Sequence, residues 1–236
     1  MNRNLWLLAL CQGLFLTNNV AFIAINGLVG LSLAPFGWMA TLPVMGYVVG
    51  GALSTPLVAR TQSRFGRRTS FQIGLAVAFG SACVATWAVV DKNFWLLVAA
   101  TVVAGYYSAN GQLYRFAAAE LVPVPQREKA VSMVLAGGLL GAIAGPNLAA
   151  RSRTLLEVPF AGAYVVLAGV AVLAMAVMAF VRFPPHTVVR SDASNGRSLS
   201  EIMRQPVFMV ACASASLGYG VMNLLMAATP LAMQQC

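Results

Sequence analysis

The sequence predicts an all-α integral membrane protein with about seven transmembrane helices. Three observations carry that prediction. First, 59% of the residues are apolar and only 9% are charged, where a soluble domain carries about 25% charge. Second, mean hydropathy is +0.78, and apolar stretches of about 20 residues recur along the chain, the length an α-helix needs to cross the hydrocarbon layer. Third, the basic residues gather in the gaps between those stretches. The net charge of +9 therefore reads as membrane topology. A nucleic-acid surface would collect its lysines and arginines on one patch, so no nucleic-acid partner is expected.

The spans run roughly over 5–30, 38–59, 69–90, 94–119, 130–150, 160–181 and 206–231. In lipid each must satisfy its backbone N–H and C=O groups internally, so each is expected to be a helix. Pro43, Pro56, Pro146 and Pro230 fall inside them, as membrane helices allow. Residues 182–205 differ: Pro184-Pro185, Ser191, Ser194, Asn195 and Gly196 with mixed charges read as a linker. The chain divides into a six-helix half (1–181), the linker (182–205) and one further helix (206–236).

Lysine and arginine sort by side. Arg3, Arg60, Arg64, Arg67, Arg68, Arg127, Lys129, Arg182, Arg190, Arg197 and Arg204 fall on one side, with Arg115 in span four towards it; Lys92, Arg151 and Arg153 fall on the other. The positive-inside rule makes the first side cytoplasmic and places the N-terminus inside, in a cell (plasma or inner) membrane. Cys11, Cys83, Cys212 and Cys236 have neither paired spacing nor histidine companions, and His186 lies alone in the linker. No disulfide framework, metal site or cofactor is expected, and no catalytic set of His, Ser and carboxylate groups forms.

The spans are unequally polar. In span one Gln12, Asn19 and Asn26 recur every seven residues, on nearly one helical face, flanked by Thr17 and Asn18. Span four carries Tyr107, Asn110 and Tyr114 at i, i+3 and i+7, with Gln112 and Arg115. Span seven carries Ser216, Tyr219 and Asn223 at the same spacing. Unpartnered polar groups in hydrocarbon are costly, so these stripes face other helices or a water-filled cavity. Hydrogen bonds between helices, worth about 0.6–2 kcal/mol each, are one use; a solute path is the other. Span six has only Tyr164 among apolar residues and glycines. Span five has a small-residue stripe, with Gly141 and Gly145 placed to let two backbones approach and Pro146 following.

Three stretches resemble the major facilitator superfamily of secondary transporters. Arg64, Gly66, Arg67 and Arg68 match the end of its cytoplasmic loop motif, Gly-x-Leu-Ala-Asp-Arg-x-Gly-Arg-Arg, with Ala59 for the first glycine and Ser63 for the aspartate. Residues 118–130 are similar to its loop after helix four. Gly141, Gly145 and Pro146 fit its Gly-x-x-x-Gly-Pro-x-x-Gly-Gly motif, associated with antiporter-type exporters, with Ala149 and Ala150 for the last two glycines. The resemblance implies twelve spans in two six-helix halves, with helices one, four, seven and ten lining a central cavity. It thereby implies a substrate path through Gln12, Asn19, Asn26, Tyr107, Asn110, Tyr114, Arg115, Tyr219 and Asn223, and a cytoplasmic gate at Ser63, Arg64, Gly66, Arg67 and Arg68.

Tyr107 stands where that family often has an arginine, and no Asp or Glu lies deep in any span. The expected function is alternating-access transport of a small molecule or ion across the lipid bilayer, the chain being an N-terminal portion of such a protein. The alternative is a truncated membrane protein, or one needing a second chain for the missing half, without transport of its own. A retinal-type receptor is disfavoured because span seven has no lysine. Arg115 and Glu120 are five residues apart, about 140° round a helix, which argues against a direct pair.

Overall fold

The computed structural model describes residues 3–183 and 199–235. His186, Arg190, Arg197 and Cys236 lie outside the described residues. The helices are α1 (Arg3–Leu33), α2 (Leu42–Val90), α3 (Phe94–Gly111), α4 (Tyr114–Glu120), α5 (Arg127–Ser152), α6 (Ala161–Phe180), α7 (Leu199–Met203) and α8 (Pro206–Gln235). Single 3-10 turns sit at Gly37–Met39 and Val124–Gln126. α1 to α6 form one compact unit; α7 and α8 belong to a second. Among the described residues five stretches are long and apolar enough to cross a membrane: Arg3–Leu33, Gly37–Val90, Val124–Ser152, Ala161–Phe180 and Pro206–Leu225.

The second of these is 54 residues long, more than twice the roughly 20 that one crossing needs. A straight helix over the 49 residues of α2 would run about 74 Å. The chain instead reverses at Gly66, whose φ of 81° and ψ of 170° are not helical. Two observations show the reversal. Thr61 Oγ1 and Ser70 Oγ are 3.1 Å apart, although nine residues of straight helix separate positions by about 14 Å. Both limbs also pack on α3: a Cβ on Gly50 would stand 2.0 Å from the Val102 carbonyl oxygen, and one on Gly74 2.9 Å from Asn110 Nδ2. The limbs are the second and third sequence spans. The nine-residue loop expected between them is helix on both sides of one glycine, because that backbone geometry is reserved almost wholly for glycine. Gly66→Ala is expected to destabilise the unit by about 1–3 kcal/mol, read as a lowered thermal midpoint in detergent; an unchanged midpoint would refute the strain.

The fourth span, read as one helix, is two. α3 ends at Gly111 and α4 begins at Tyr114. The break follows from a weak helix former meeting an aromatic ring: a Cβ on Gly111 would stand 2.1 Å from Phe15 Cε2, so α1 approaches where the helix is least stable.

α5 packs along α1 by its glycines. A Cβ on Gly141 would lie 1.9 Å from the Gly13 carbonyl oxygen, and one on Gly145 2.9 Å from that of Thr17. Pro146 follows within α5. α6 is tied to α1 by Asn18 Nδ2, which donates to the Leu167 carbonyl at 3.0 Å. One face of α6 buries Tyr164, Leu167, Ala171, Ala174 and Met178, while Val165, Val172, Leu173 and Phe180 stand exposed. That apolar outer face is what lipid contact requires. The core gathers Leu8, Phe15, Phe71, Leu75, Tyr107, Tyr114 and Val134, from α1, α2, α3, α4 and α5.

Candidate functional site

The polar stripe of α1 points into the six-helix unit, and its three members differ in how they are satisfied. Asn26 is fully buried; its Oδ1 accepts from Tyr164 Oη at 2.8 Å and its Nδ2 donates to the Phe22 carbonyl at 2.8 Å. Asn19 Oδ1 accepts from Tyr47 Oη at 2.6 Å. Gln12 is buried beside Gly138, yet its Oε1 has no hydrogen-bond partner among the described residues.

The stripe of α3 and α4 is buried too. Phe15 of α1 meets the rings of Tyr107 at 5.3 Å and Tyr114 at 5.9 Å, both edge-on, and Tyr114 meets Phe71 at 4.7 Å. Tyr107 Oη is buried and unpaired, beside a cavity of about 10 Å³ lined by Asn18, Tyr47, Ser81 and Ala104. That volume is at the lower limit for one water. Arg115 Nε is also buried without a partner, and the guanidinium lies 5.0 Å from the Phe116 ring. Of the nine expected path residues, Gln12, Tyr107, Asn110 and Arg115 thus each retain a buried, unpaired polar atom. Such atoms cost stability unless something fills them.

Asn110 joins a relay. Its Oδ1 accepts from Ser70 Oγ at 3.2 Å and from Gln62 Nε2 at 3.4 Å. Gln62 Oε1 accepts from Arg67 Nη1. Arg67 Nε donates to Glu120 Oε2 at 3.0 Å, and Nη2 pairs with Glu120 Oε1. A guanidinium has donors only, so Arg67 fixes which end of the Gln62 amide faces it. Gln62 then presents its NH₂ to Asn110, and that fixes the Asn110 amide in turn. The amide left over, Asn110 Nδ2, packs against Gly74 without a partner. Thr61 extends the network to Tyr106 Oη at 2.9 Å.

The remaining gate residues make local contacts. Ser63 Oγ donates to the Arg60 carbonyl at 3.0 Å. The Arg64 guanidinium lies 5.4 Å from the Phe65 ring. Arg68 Nη2 donates to the Ala179 carbonyl at the end of α6. In the second unit Asn223 Nδ2 donates to the Tyr219 carbonyl at 2.9 Å, within α8.

Sequence reasoning missed Tyr47 and Gln62, and gave Phe15 and Glu120 no partners. The lone tyrosine of span two, whose other polar residues are the hydroxyls Thr41, Ser54 and Thr55, is a usable signal for Tyr47. Nothing in sequence spacing brings Arg67 to Glu120, 53 residues on.

The model of the Major Facilitator Superfamily matches residues 5–235. The riboflavin transporter of Brucella anthropi is 34% identical over 98% of this chain and 58% of its own length. An uncharacterized MFS-type transporter of Bacillus subtilis is 25% identical over 79% of the chain and 44% of its own. The chain spans about half the length of the curated relatives it matches. A crystal structure of a D-xylose-proton symporter shares the fold with a TM-score of 0.65 at 17% identity, over 94% of this chain and 60% of that one. These relatives are transporters rather than enzymes. A family match over nearly the whole sequence, carried by a bundle of apolar helices, makes this chain a multi-pass membrane protein that belongs to the Major Facilitator Superfamily.

Proposed function

We propose that this chain forms part of a secondary transporter that moves a small, uncharged, hydrogen-bonding solute by alternating access, with riboflavin the first candidate. The observation that carries the proposal is the character of the unit's interior. Among the described residues every buried polar side chain outside the tyrosines is an amide or a hydroxyl, and Gln12, Tyr107 and Asn110 keep polar atoms unpaired. Neutral donors and acceptors suit an uncharged ring with imide and hydroxyl groups; a buried carboxylate would suit a cation. The 34% identity to a riboflavin transporter points to the same chemistry.

In this reading Gln12, Asn19, Tyr107, Asn110, Tyr114, Tyr219 and Asn223 serve the path, directly or by positioning its walls. Asn26 braces α1 on α6. Arg115 supplies a cationic contact, and Arg67 with Glu120 works the gate. The arginine-rich end faces the cytoplasm, the N-terminus is inside, and the protein sits in the cell membrane. The Gly141–Pro146 stretch favours antiport with export of the counter-solute.

The test is accumulation of labelled riboflavin by a riboflavin auxotroph that lacks its own uptake system and expresses the reading frame encoding this chain. Accumulation competed by unlabelled riboflavin, and not by its charged phosphate ester, is expected. Background accumulation with the protein present in the membrane would sink the substrate assignment.

A further inference from the structure

A cavity of about 390 Å³ opens where the start of α1, the far side of the Gly66 reversal and the end of α6 meet. It is lined by Arg3, Asn4, Arg68, Ala179, Phe180 and Arg182. Three arginines thus line one cavity, and no carboxylate lines it among the described residues. The acid on the neighbouring helix, Glu120, is held by Arg67. The cavity is built and not merely crowded: Arg68 is anchored on the Ala179 carbonyl. Asn4 grips the Arg182 main chain from both sides, donating to its carbonyl at 2.9 Å and accepting from its N–H at 3.3 Å. Like charges gathered without a counter-charge repel one another, so an anion there is favoured.

The rest of the cavity says which anion. Phe180 lines it and is 64% exposed. Leu173 lies two helical turns behind Phe180 on the same side of α6 and is 53% exposed. The arginines therefore sit at the head of an apolar track along a membrane-facing helix. A free inorganic phosphate would use the arginines and leave the track bare. A phospholipid uses both.

We propose that this cavity binds the phosphate of an anionic phospholipid, with Arg3, Arg68 and Arg182 around the headgroup and its acyl chain along Phe180 and Leu173. The inference goes beyond the transport reading and does not depend on it. Arg3 and Arg182 are the residues to change, because the hydrogen bonds that Arg182 gives the fold come from its main chain, whereas Arg68 braces α6.

The experiment compares the full chain with Arg3→Gln/Arg182→Gln, both purified in detergent and titrated with phosphatidylglycerol, phosphatidylcholine or inorganic phosphate, with bound lipid counted by native mass spectrometry. Each cation removed near an anionic headgroup weakens binding about five-fold, so the pair is expected to weaken phosphatidylglycerol retention by roughly thirty-fold. Phosphatidylcholine retention should be low and equal in the two proteins, and inorganic phosphate should not displace phosphatidylglycerol at equal concentration. Equal phosphatidylglycerol retention by both proteins would overturn the site. Displacement by inorganic phosphate would overturn the lipid as its occupant. Arg182→Lys guards against a folding artefact: it should retain phosphatidylglycerol, and its failure to do so with an unchanged thermal midpoint would also overturn the charge argument.

Discussion

Arg67→Glu is expected to lower transport about ten-fold or more and to lower the thermal midpoint, and adding Glu120→Arg is expected to leave most of the transport loss in place. The two halves of that expectation have different physical sources. The Arg67 and Glu120 side chains are 26% and 45% exposed, so solvent screens their attraction and the pair itself adds about 0–1 kcal/mol to stability. Its larger effect runs through Gln62. With a carboxylate at position 67, Gln62 Oε1 faces an acceptor and its amide must turn over. That turn points Oε1 at Asn110 Oδ1, acceptor against acceptor, and the Asn110 amide must turn in its place or lose its partner. Each mismatch costs about 1–3 kcal/mol, all at the junction between the arginine-rich end and the polar stripe of α3. The reciprocal variant puts a guanidinium back opposite a carboxylate but leaves a carboxylate facing Gln62, so it restores the ion pair and not the order of the amides. Uptake and thermal midpoint measured on the same preparations decide the matter. If the double variant recovers most of its uptake, the ion pair and not the Gln62–Asn110 relay governs the gate.

The helical, membrane-spanning character of the chain was legible because it depends on composition and length alone. Twenty apolar residues in lipid have no alternative to a helix, so the positions of α1, α5, α6 and α8 followed from hydropathy. The reversal at Gly66 was legible as a place but not as a shape. Charge marked the gap, while only the backbone geometry of one glycine tells a hairpin of two helices from a loop. The break after Gly111 was illegible because its cause, the Phe15 ring, sits in another helix and carries no polar signal. The same distinction divides the candidate site. Spacing placed Gln12, Asn19 and Asn26 on one face, and Tyr107, Asn110 and Tyr114 on another. It gave no means of telling the fully paired Asn26 from the half-paired Asn110, because pairing is decided by Tyr164 and Gln62 on other helices.

Tyr107→Phe is expected to raise the thermal midpoint, or leave it unchanged, and to lower transport about ten-fold, the worth of one well-placed hydrogen bond. The opposite signs are the point of the experiment. A residue retained to hold helices together loses stability and activity in step when its polar atom is removed. Tyr107 Oη is buried and has no partner among the described residues, so it costs the fold an unmet hydrogen bond of about 1–3 kcal/mol. Phenylalanine keeps the ring contact with Phe15 and removes that cost. Asn26 supplies the contrast within the same unit. Both ends of its amide are bonded, so Asn26→Leu should lower the midpoint along with transport. A single water in the small cavity beside Tyr107 would change the outcome in a readable way, since the hydroxyl would then be satisfied and Tyr107→Phe would destabilise. A fall in the midpoint therefore assigns Tyr107 to the framework, and unchanged transport removes it from the path. Only a stable protein that carries its solute poorly fits a hydroxyl whose partner is the solute.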